Sequence, residues 1–226
     1  MSIETAARDA RYSFFAKVAK RRRCHALFLA HHADDLVETF LINLFRGAGP
    51  TGLAAMRDVS VRRVNDVDLT IVRPLLSVWR EEIDAYVREH RLKFREDASN
   101  KSLTPLRNRT RHRVLPYLEK TVGRNIRQTI WRAAMIAAEE EAWLDNMTKD
   151  SAKPTADLLV GKLRALPVAL QRRTILKWLR SHNVADIGYE TVERVRSLLD
   201  EGTRVAKINL PRDRHVRRRT GRIFVE

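Results

Sequence analysis

The residues best suited to chemistry crowd into the stretch "AHHADDLVE", at positions 30 to 38. It holds His31, His32, Asp34, Asp35 and Glu38. In a helix, Asp35 and Glu38 share one face because they are three residues apart, and Asp34 lies nearly on that face. Such carboxylates can hold a magnesium ion or a substrate ammonium, whereas zinc would need a third soft ligand. The alternative is that these acids only stabilise a first helical turn, and spacing alone leaves both alternatives open.

The surrounding pattern is typical of an α/β unit. "CHALFLA", residues 24 to 30, predicts a buried strand of a parallel sheet. A helix precedes it, and a second helix begins near Ala33 and ends at Gly47. In open α/β sheets, ligands bind at the carboxyl edge of such strands, which is where the acids lie.

Alternation and helical spacing predict the elements that follow. Two strands flank a turn at Asn65-Asp66, a helix with Ser77 as N-cap comes next, and "LKFREDASN" reads as a strand that runs into a loop. "LRNRTRHRVLPYL" is a basic helix, and a long helix spans 125–147.

"KDSAKPTAD", residues 149 to 157, is the best boundary in the sequence. Beyond it we expect helices over 155–165, after Pro167 and over 189–199. The tail should end in a β-hairpin, with turns at Pro211–Asp213 and Thr220–Gly221.

The charge balance favours a polyanionic partner. The 226 residues include 44 Lys and Arg against 28 Asp and Glu, a formal charge of +16. Basic runs recur at 20–23, 107–113 and 212–222, which favours nucleic acid over a membrane surface. The third run could contact RNA phosphates, although such runs can also be merely solvated. Its six arginines are Arg212, Arg214, Arg217, Arg218, Arg219 and Arg222.

Cys24 is the only cysteine of the chain. It excludes an intrachain disulfide and fits a reducing cytosol, so we expect a cytoplasmic protein. No apolar run approaches the roughly 18 to 20 residues of a membrane span.

Several longer stretches together resemble the tRNA(Ile)-lysidine synthases, a family of the N-type ATP pyrophosphatase (PP-loop) superfamily. They are "AHHADDLVETFLINLFRGAGPTGLAAM" at 30–56, "RPLL" at 73–76, "EDASN" at 96–100 and "RNRTRHRVLP" at 107–116. The long helix and "LPVALQRRTILKWL" resemble that family's connector and small tRNA-binding domain.

The resemblance implies a fold and a domain order. The fold is α/β, an incomplete doubly wound, Rossmann-like sheet of the adenine nucleotide alpha hydrolase type. A truncated ATP pyrophosphatase domain would occupy 1–118, a connector helix 119–149, and a tRNA-binding, mainly helical domain that ends in a β-hairpin 150–226.

It also implies a two-step reaction that uses ATP and Mg²⁺. ATP adenylates C2 of the wobble cytidine in tRNA(Ile) with a CAU anticodon, and free L-lysine then displaces AMP to form lysidine. Asp34 and Asp35 would hold Mg²⁺ or the lysine ammonium, with His32 orienting one of them. Glu38, Arg107, Asn108 and Arg111 would bind substrate or ATP. Oligomeric state is left open, a homodimer included.

One feature of the family is missing from the 226 residues. They contain no S-G-G-x-D-S loop, whose backbone N–H groups cradle pyrophosphate. We therefore expect this chain alone to be inactive, as a family member lacking its first one or two βαβ-type units. The alternatives are a non-catalytic tRNA-binding remnant and a tRNA 2-thiolation enzyme of the same superfamily, which a single cysteine disfavours.

Overall fold

The chain forms two compact units. The computed structural model describes residues 3–95, 104–123, 125–148, 157–185, 187–202 and 206–226. The first unit comprises Met1–Gly47 and Thr51–Ala138, and the second Ala48–Pro50 and Glu139–Glu226. The boundary expected at 149–157 falls outside the described residues, except for Asp157.

The first unit contains a small sheet and most of the helices. In chain order its elements are α1 Ile3–Arg22, β1 Ala26–Phe28, α2 Ala33–Phe45, α3 Pro50–Leu53, β2 Val59–Val64, β3 Val67–Val72, α4 Arg80–Glu89, α5 Leu106–Arg109, a π-helical turn Thr110–Val114, α6 Leu115–Val122 and α7 Ile126–Met147, which continues into the second unit.

The sheet has the strand order β1-β3-β2. β1 runs parallel to β3, and β2 and β3 form the predicted antiparallel hairpin. Asn65 and Asp66 have φ of 48° and 61°, the left-handed pair that two-residue hairpin turns require. The α/β prediction is confirmed, and the single parallel pair is a small part of the incomplete doubly wound sheet that we expected.

Only one face of this sheet is covered by a described element. Tyr12 and Ala16 of α1 are buried against Leu69 and Ile71 of β3. On the other face, Phe28 and Val61 are each 67% exposed. The prediction of a buried strand in "CHALFLA" is therefore wrong, because β1 lies at an edge and an apolar run cannot show whether both faces are covered.

Two further predictions need correction. α4 begins after Trp79 rather than Ser77, because Glu82 reaches back and accepts the Trp79 N–H at 2.7 Å. Residues 92–95 are exposed and form no strand, and the rest of "LKFREDASN", which includes the "EDASN" motif, lies outside the described residues.

The basic helix predicted around 106–118 is present but interrupted by the π-helical turn. Pro116 has no N–H, and its ring clashes with the carbonyl four residues earlier, so a regular α-helix cannot pass this point unchanged. The wider turn at Thr110–Val114 accommodates that break.

The second unit consists of a sheet covered on one face by helices. Its elements are β4 Leu158–Leu159, α8 Val160–Arg164, α9 Val168–Ser181, α10 Tyr189–Arg196, a 3₁₀ turn Ser197–Leu199, β5 Lys207–Leu210, β6 Arg214–Arg219 and β7 Arg222–Val225. The antiparallel sheet has the order β4-β7-β6-β5. Trp178 and Leu179 of α9 are buried against Val216 and Ile223 of the sheet.

Both predicted tail turns are confirmed, and the tail hairpin is part of a larger sheet. The helix expected over 155–165 begins only at Val160, because Leu158 and Leu159 pair with β7 instead. A buried ion network also ties α7 to α9 within this unit: Arg173 bonds Glu141 and Asp145, and Lys177 lies 2.9 Å from Asp145. In the part of the chain that is described, no helix is both long and apolar enough to cross a bilayer.

Candidate functional site

The acidic stretch lies where β1 passes into α2. His32 extends the parallel pairing of β1 and β3 by one bridge to Leu75. Ala33, the first residue of α2, donates its N–H to the Val78 carbonyl at 2.9 Å. The predicted position at the carboxyl edge of the sheet is therefore confirmed.

Each aspartate gives one oxygen to a helix start. Asp35 Oδ2 accepts the His32 N–H at 3.1 Å and so caps α2. Asp34 Oδ2 accepts the N–H of Arg80, the first residue of α4, at 2.9 Å. The capping alternative is thus correct, but it accounts for only one oxygen of each side chain.

The remaining carboxylate oxygens meet arginines. Arg111 binds the fully buried Glu38 through two nitrogens, at 2.6 and 3.1 Å, and lies 3.3 Å from Asp35 Oδ1. Arg107 Nε lies 3.2 Å from Glu38 Oε2. Asp34 Oδ1 binds Arg127 at 2.7 Å. We call Asp34, Asp35, Glu38, Arg107, Arg111 and Arg127 the ion-pair cluster.

Burial and charge shift the pKa values in this cluster. Burial raises the pKa of Glu38, although the hydrogen bond and charge of Arg111 oppose the shift. Burial lowers the pKa of Arg111, but its bonds to Glu38 outweigh this and leave the value raised. Burial lowers the pKa of His31, although the charge of Asp35 opposes the shift. Because the pKa is lowered, the His31 imidazole is neutral near pH 7.

A cavity of about 630 Å³ opens beside the ion-pair cluster. Four of the predicted site residues line it, namely His32, Asp34, Glu38 and Arg111. Asp35 and Arg107 belong to the cluster through their contacts with Arg111 and Glu38 but do not line the cavity, and Asn108 is buried on α5 outside the lining. The structure thus brings most of the predicted residues together. Unpredicted residues complete the lining: Trp79, Arg80, Glu81, Glu82, Glu119, Asn125, Arg127 and Gln128.

Arg127 is the main site residue that sequence reasoning missed. It binds both Asp34 and Glu119, at 2.7 and 2.8 Å. It stands 93 residues after Asp34, at the start of α7, where it reads as an ordinary solvated arginine. No local spacing could have linked the two residues.

The described carboxylates do not form a magnesium site by themselves. Both oxygens of Asp34, Asp35 and Glu38 already face a backbone N–H or a guanidinium. Among the described residues, no three His, Cys, Asp or Glu side chains group as metal ligands. Mg²⁺ keeps several waters and is usually bound through one or two carboxylates together with substrate phosphates. A magnesium ion at Asp34 or Asp35 would therefore have to replace Arg127 or Arg111 at one oxygen, and the magnesium role of these two residues stays a prediction.

The tail arginines divide into two groups. Arg214 and Arg218 are half-buried, and they donate to the carbonyls of His182 and Leu198 respectively. The others are exposed: Arg212, Arg217, Arg219 and Arg222. Arg217 lies 2.8 Å from Glu226 and Arg222 3.7 Å from Asp157.

Comparison with known proteins gives two matches along the chain. Residues 1–118 match the PP-loop domain, and residues 158–224 match the TilS substrate binding domain. A tRNA(Ile)-lysidine synthase of Geobacter sulfurreducens is 35% identical over 223 residues, which cover 94% of this chain and 46% of the relative. One of Thermosynechococcus vestitus is 33% identical over 221 residues, 95% of this chain and 62% of the relative. The chain thus spans about half the length of the curated relatives it matches.

Proposed function

Because the chain belongs to the PP-loop family, we propose that it carries the lysine- and tRNA-binding parts of a tRNA(Ile)-lysidine synthase. The observation that carries this proposal is the ion-pair cluster beside a cavity, within the PP-loop match. The match of 158–224 to a substrate binding domain supports tRNA as the macromolecular substrate.

The reaction proposed is ATP-dependent and forms a C–N bond. The O2 atom of the wobble cytidine attacks the α-phosphorus of ATP, and pyrophosphate leaves. The ε-amine of free lysine then attacks C2, the C2–O bond breaks and AMP leaves, while the amine gives up its proton. ATP is the co-substrate expected of the PP-loop family, and tRNA(Ile) and lysine are the partners that the relatives' name suggests.

The ion-pair cluster suits this chemistry because charged substrate groups can replace the partners that its side chains now bind. Glu38 and the two aspartates attract an ammonium, while Arg107 and Arg111 attract phosphate or the activated base. Each charge is already paired inside the protein, so an incoming charged group replaces an existing partner. His32 lies 3.7 Å from Asp34 and 3.5 Å from Asp35 and can orient either.

This chain alone should not carry out the adenylation step, because its 226 residues lack an S-G-G-x-D-S loop for pyrophosphate. Purified chain is mixed with ATP, lysine and tRNA(Ile) transcript, and AMP and lysidine are measured by chromatography and mass spectrometry. We expect neither product. Release of AMP that depends on both tRNA and lysine would refute this expectation.

A fusion tests the residue roles. When the chain is joined to a loop-bearing segment of the family, lysidine formation should appear, and Asp35→Asn should abolish it while tRNA binding is nearly unchanged. Loss of tRNA affinity instead would make capping of α2 the better account of Asp35. A fusion that binds tRNA but never forms lysidine would favour the second candidate, a non-catalytic tRNA-binding protein.

A further inference from the structure

The second unit has one sheet face covered by helices and one face turned to solvent. Strand register determines which side chains share each face, because directly paired residues point the same way. Val216 and Ile223 belong to the buried core. On the opposite side, Arg219 of β6 pairs with Arg222 of β7, which in turn pairs with Leu159 of β4. Arg217 of β6 pairs with Phe224 of β7 on one side and with Lys207 of β5 on the other. Asn209 and His215 pair with each other farther along the same side. We use the name outer face for the six residues Leu159, Lys207, Arg217, Arg219, Arg222 and Phe224.

Four of these six side chains are cationic, and all four are exposed. They form two rows across the sheet, with strands about 4.8 Å apart and rows about 7 Å apart along the strand. Lys207 and Arg219 have no ion-pair partner within the described ranges, whereas Arg217 and Arg222 are held by Glu226 and Asp157. The outer face is thus a regular array of cations that two acids partly neutralise.

Arg214 and Arg218 differ from this array although they lie on the same strand. Because side chains alternate along β6, Arg214 and Arg218 lie on the same side as Val216, which faces the core, and both are half-buried. Arg218 donates to the Leu198 carbonyl at 2.8 Å, at the end of the 3₁₀ turn, and Arg214 donates to the His182 carbonyl at the end of α9. Such contacts stabilise helix ends and leave these guanidiniums poorly placed for a ligand.

We propose that the outer face is the surface through which this unit holds the phosphate backbone of tRNA, and that Arg214 and Arg218 are structural. The inference deepens the proposed function and rests on it. Arginine presents several donors to phosphate oxygens, and structured RNA is recognised largely through shape and backbone contacts. An acidic protein surface would also match the charge, but the regular spacing of the cations favours a polyphosphate.

Salt-dependent binding tests the proposal with four variants of the full chain. Affinity for a tRNA(Ile) transcript with a CAU anticodon is measured by fluorescence anisotropy between 50 and 300 mM KCl. Lys207→Gln with Arg219→Gln should reduce the salt slope by about 1.8 and the affinity at 0.1 M about 25- to 100-fold, since the two outer-face cations that no described acid holds would both lose a phosphate contact. Arg180→Gln, an exposed arginine on the helical side, is the matched control and should change neither.

Glu226→Gln gives a change of opposite sign. It releases Arg217 from its partner, so affinity should rise and the salt slope should steepen by about 0.9. Misfolding would not produce this gain. Arg218→Gln should lower thermal stability without changing the slope.

The outcomes separate this inference from the proposed function. If the unaltered chain does not bind the transcript, both the tRNA role and the outer face are refuted. If it binds, but Arg180→Gln weakens binding as much as the double variant does, or Glu226→Gln gains nothing, the outer face is wrong while the tRNA role stands.

Discussion

Replacement of Glu38 by Gln is the most direct test of the ion-pair cluster. Glu38 is fully buried and binds Arg111 through both oxygens, with Arg107 3.2 Å from one of them. Gln has nearly the same shape, but it has no charge and offers one acceptor where Glu has two. The substitution therefore leaves two guanidiniums facing an amide and isolates the electrostatic contribution.

The expected cost follows from how deeply each partner is buried. Removal of one member of a buried ion pair costs about 3 to 5 kcal/mol, and a hydrogen bond to a charged group contributes about 1.5 to 3 kcal/mol. Arg111 and Arg107 are 31% and 33% exposed at their side chains, so water can solvate them in part. We expect the variant to lose about 2 to 3 kcal/mol of local stability.

Hydrogen exchange detected by mass spectrometry is the suitable assay because it resolves each unit separately. Amides of α2 should exchange about 30- to 150-fold faster in Glu38→Gln, since each 1.4 kcal/mol is a factor of ten. Glu89→Gln, at an exposed position on α4, is the matched control and should change stability by less than about 0.5 kcal/mol.

A double-mutant cycle completes this test. If Glu38 and Arg111 are coupled as their distances imply, Glu38→Gln combined with Arg111→Gln should cost less than the sum of the single changes, by about 0.5 to 3 kcal/mol. Additive costs, or an increase below about threefold in α2 exchange for Glu38→Gln, would refute the claim that this ion pair holds the site together.

Two further predictions concern the ion network of the second unit and the open sheet face of the first. Burial would raise the pKa of Asp145, but bonds from Lys177 and Arg173 outweigh this and lower it below 3.8. Asp145 therefore stabilises the fold fully above the usual aspartate pKa and loses this effect as the pH falls through the lowered value. The melting-temperature deficit of Asp145→Asn should thus be larger at pH 7 than at pH 3, and an equal deficit at both would refute this. Phe28→Ser with Val61→Thr should reduce aggregation, seen by light scattering, because both side chains are 67% exposed on a sheet face that no described element covers. Unchanged scattering would contradict this prediction.

Much of the candidate site could be predicted because its parts are local in sequence. Asp35 and Glu38 lie three residues apart on α2, and Arg107 and Arg111 lie four apart on the next basic segment. Helical spacing therefore places each pair on one face. Glu38 and Arg111 are 73 residues apart, and their contact depends on tertiary packing that helical spacing does not encode. The same holds for the contact of Asp34 with Arg127.

The fold was predicted best where the signal was a turn or a helical stripe. Asn65-Asp66 and both tail turns are where turn chemistry placed them. Burial of β1 and the strand at 92–95 were mispredicted, because apolar runs indicate a strand but not the neighbours that it has. The separation of Arg214 and Arg218 from Arg217 and Arg219 required the strand register, which a count of arginines cannot supply.

Capping and ligand binding need not compete at the start of α2. Asp34 and Asp35 each use Oδ2 for a backbone N–H of a helix start and present Oδ1 to an arginine. A cation that replaces Arg127 or Arg111 at Oδ1 would leave both caps intact, so the backbone of α2 and α4 need not move when it binds. The caps fix the direction of the two Oδ1 atoms before a ligand arrives, which reduces the entropy lost on binding. The same two side chains can therefore be structural through one oxygen and available for a cation through the other.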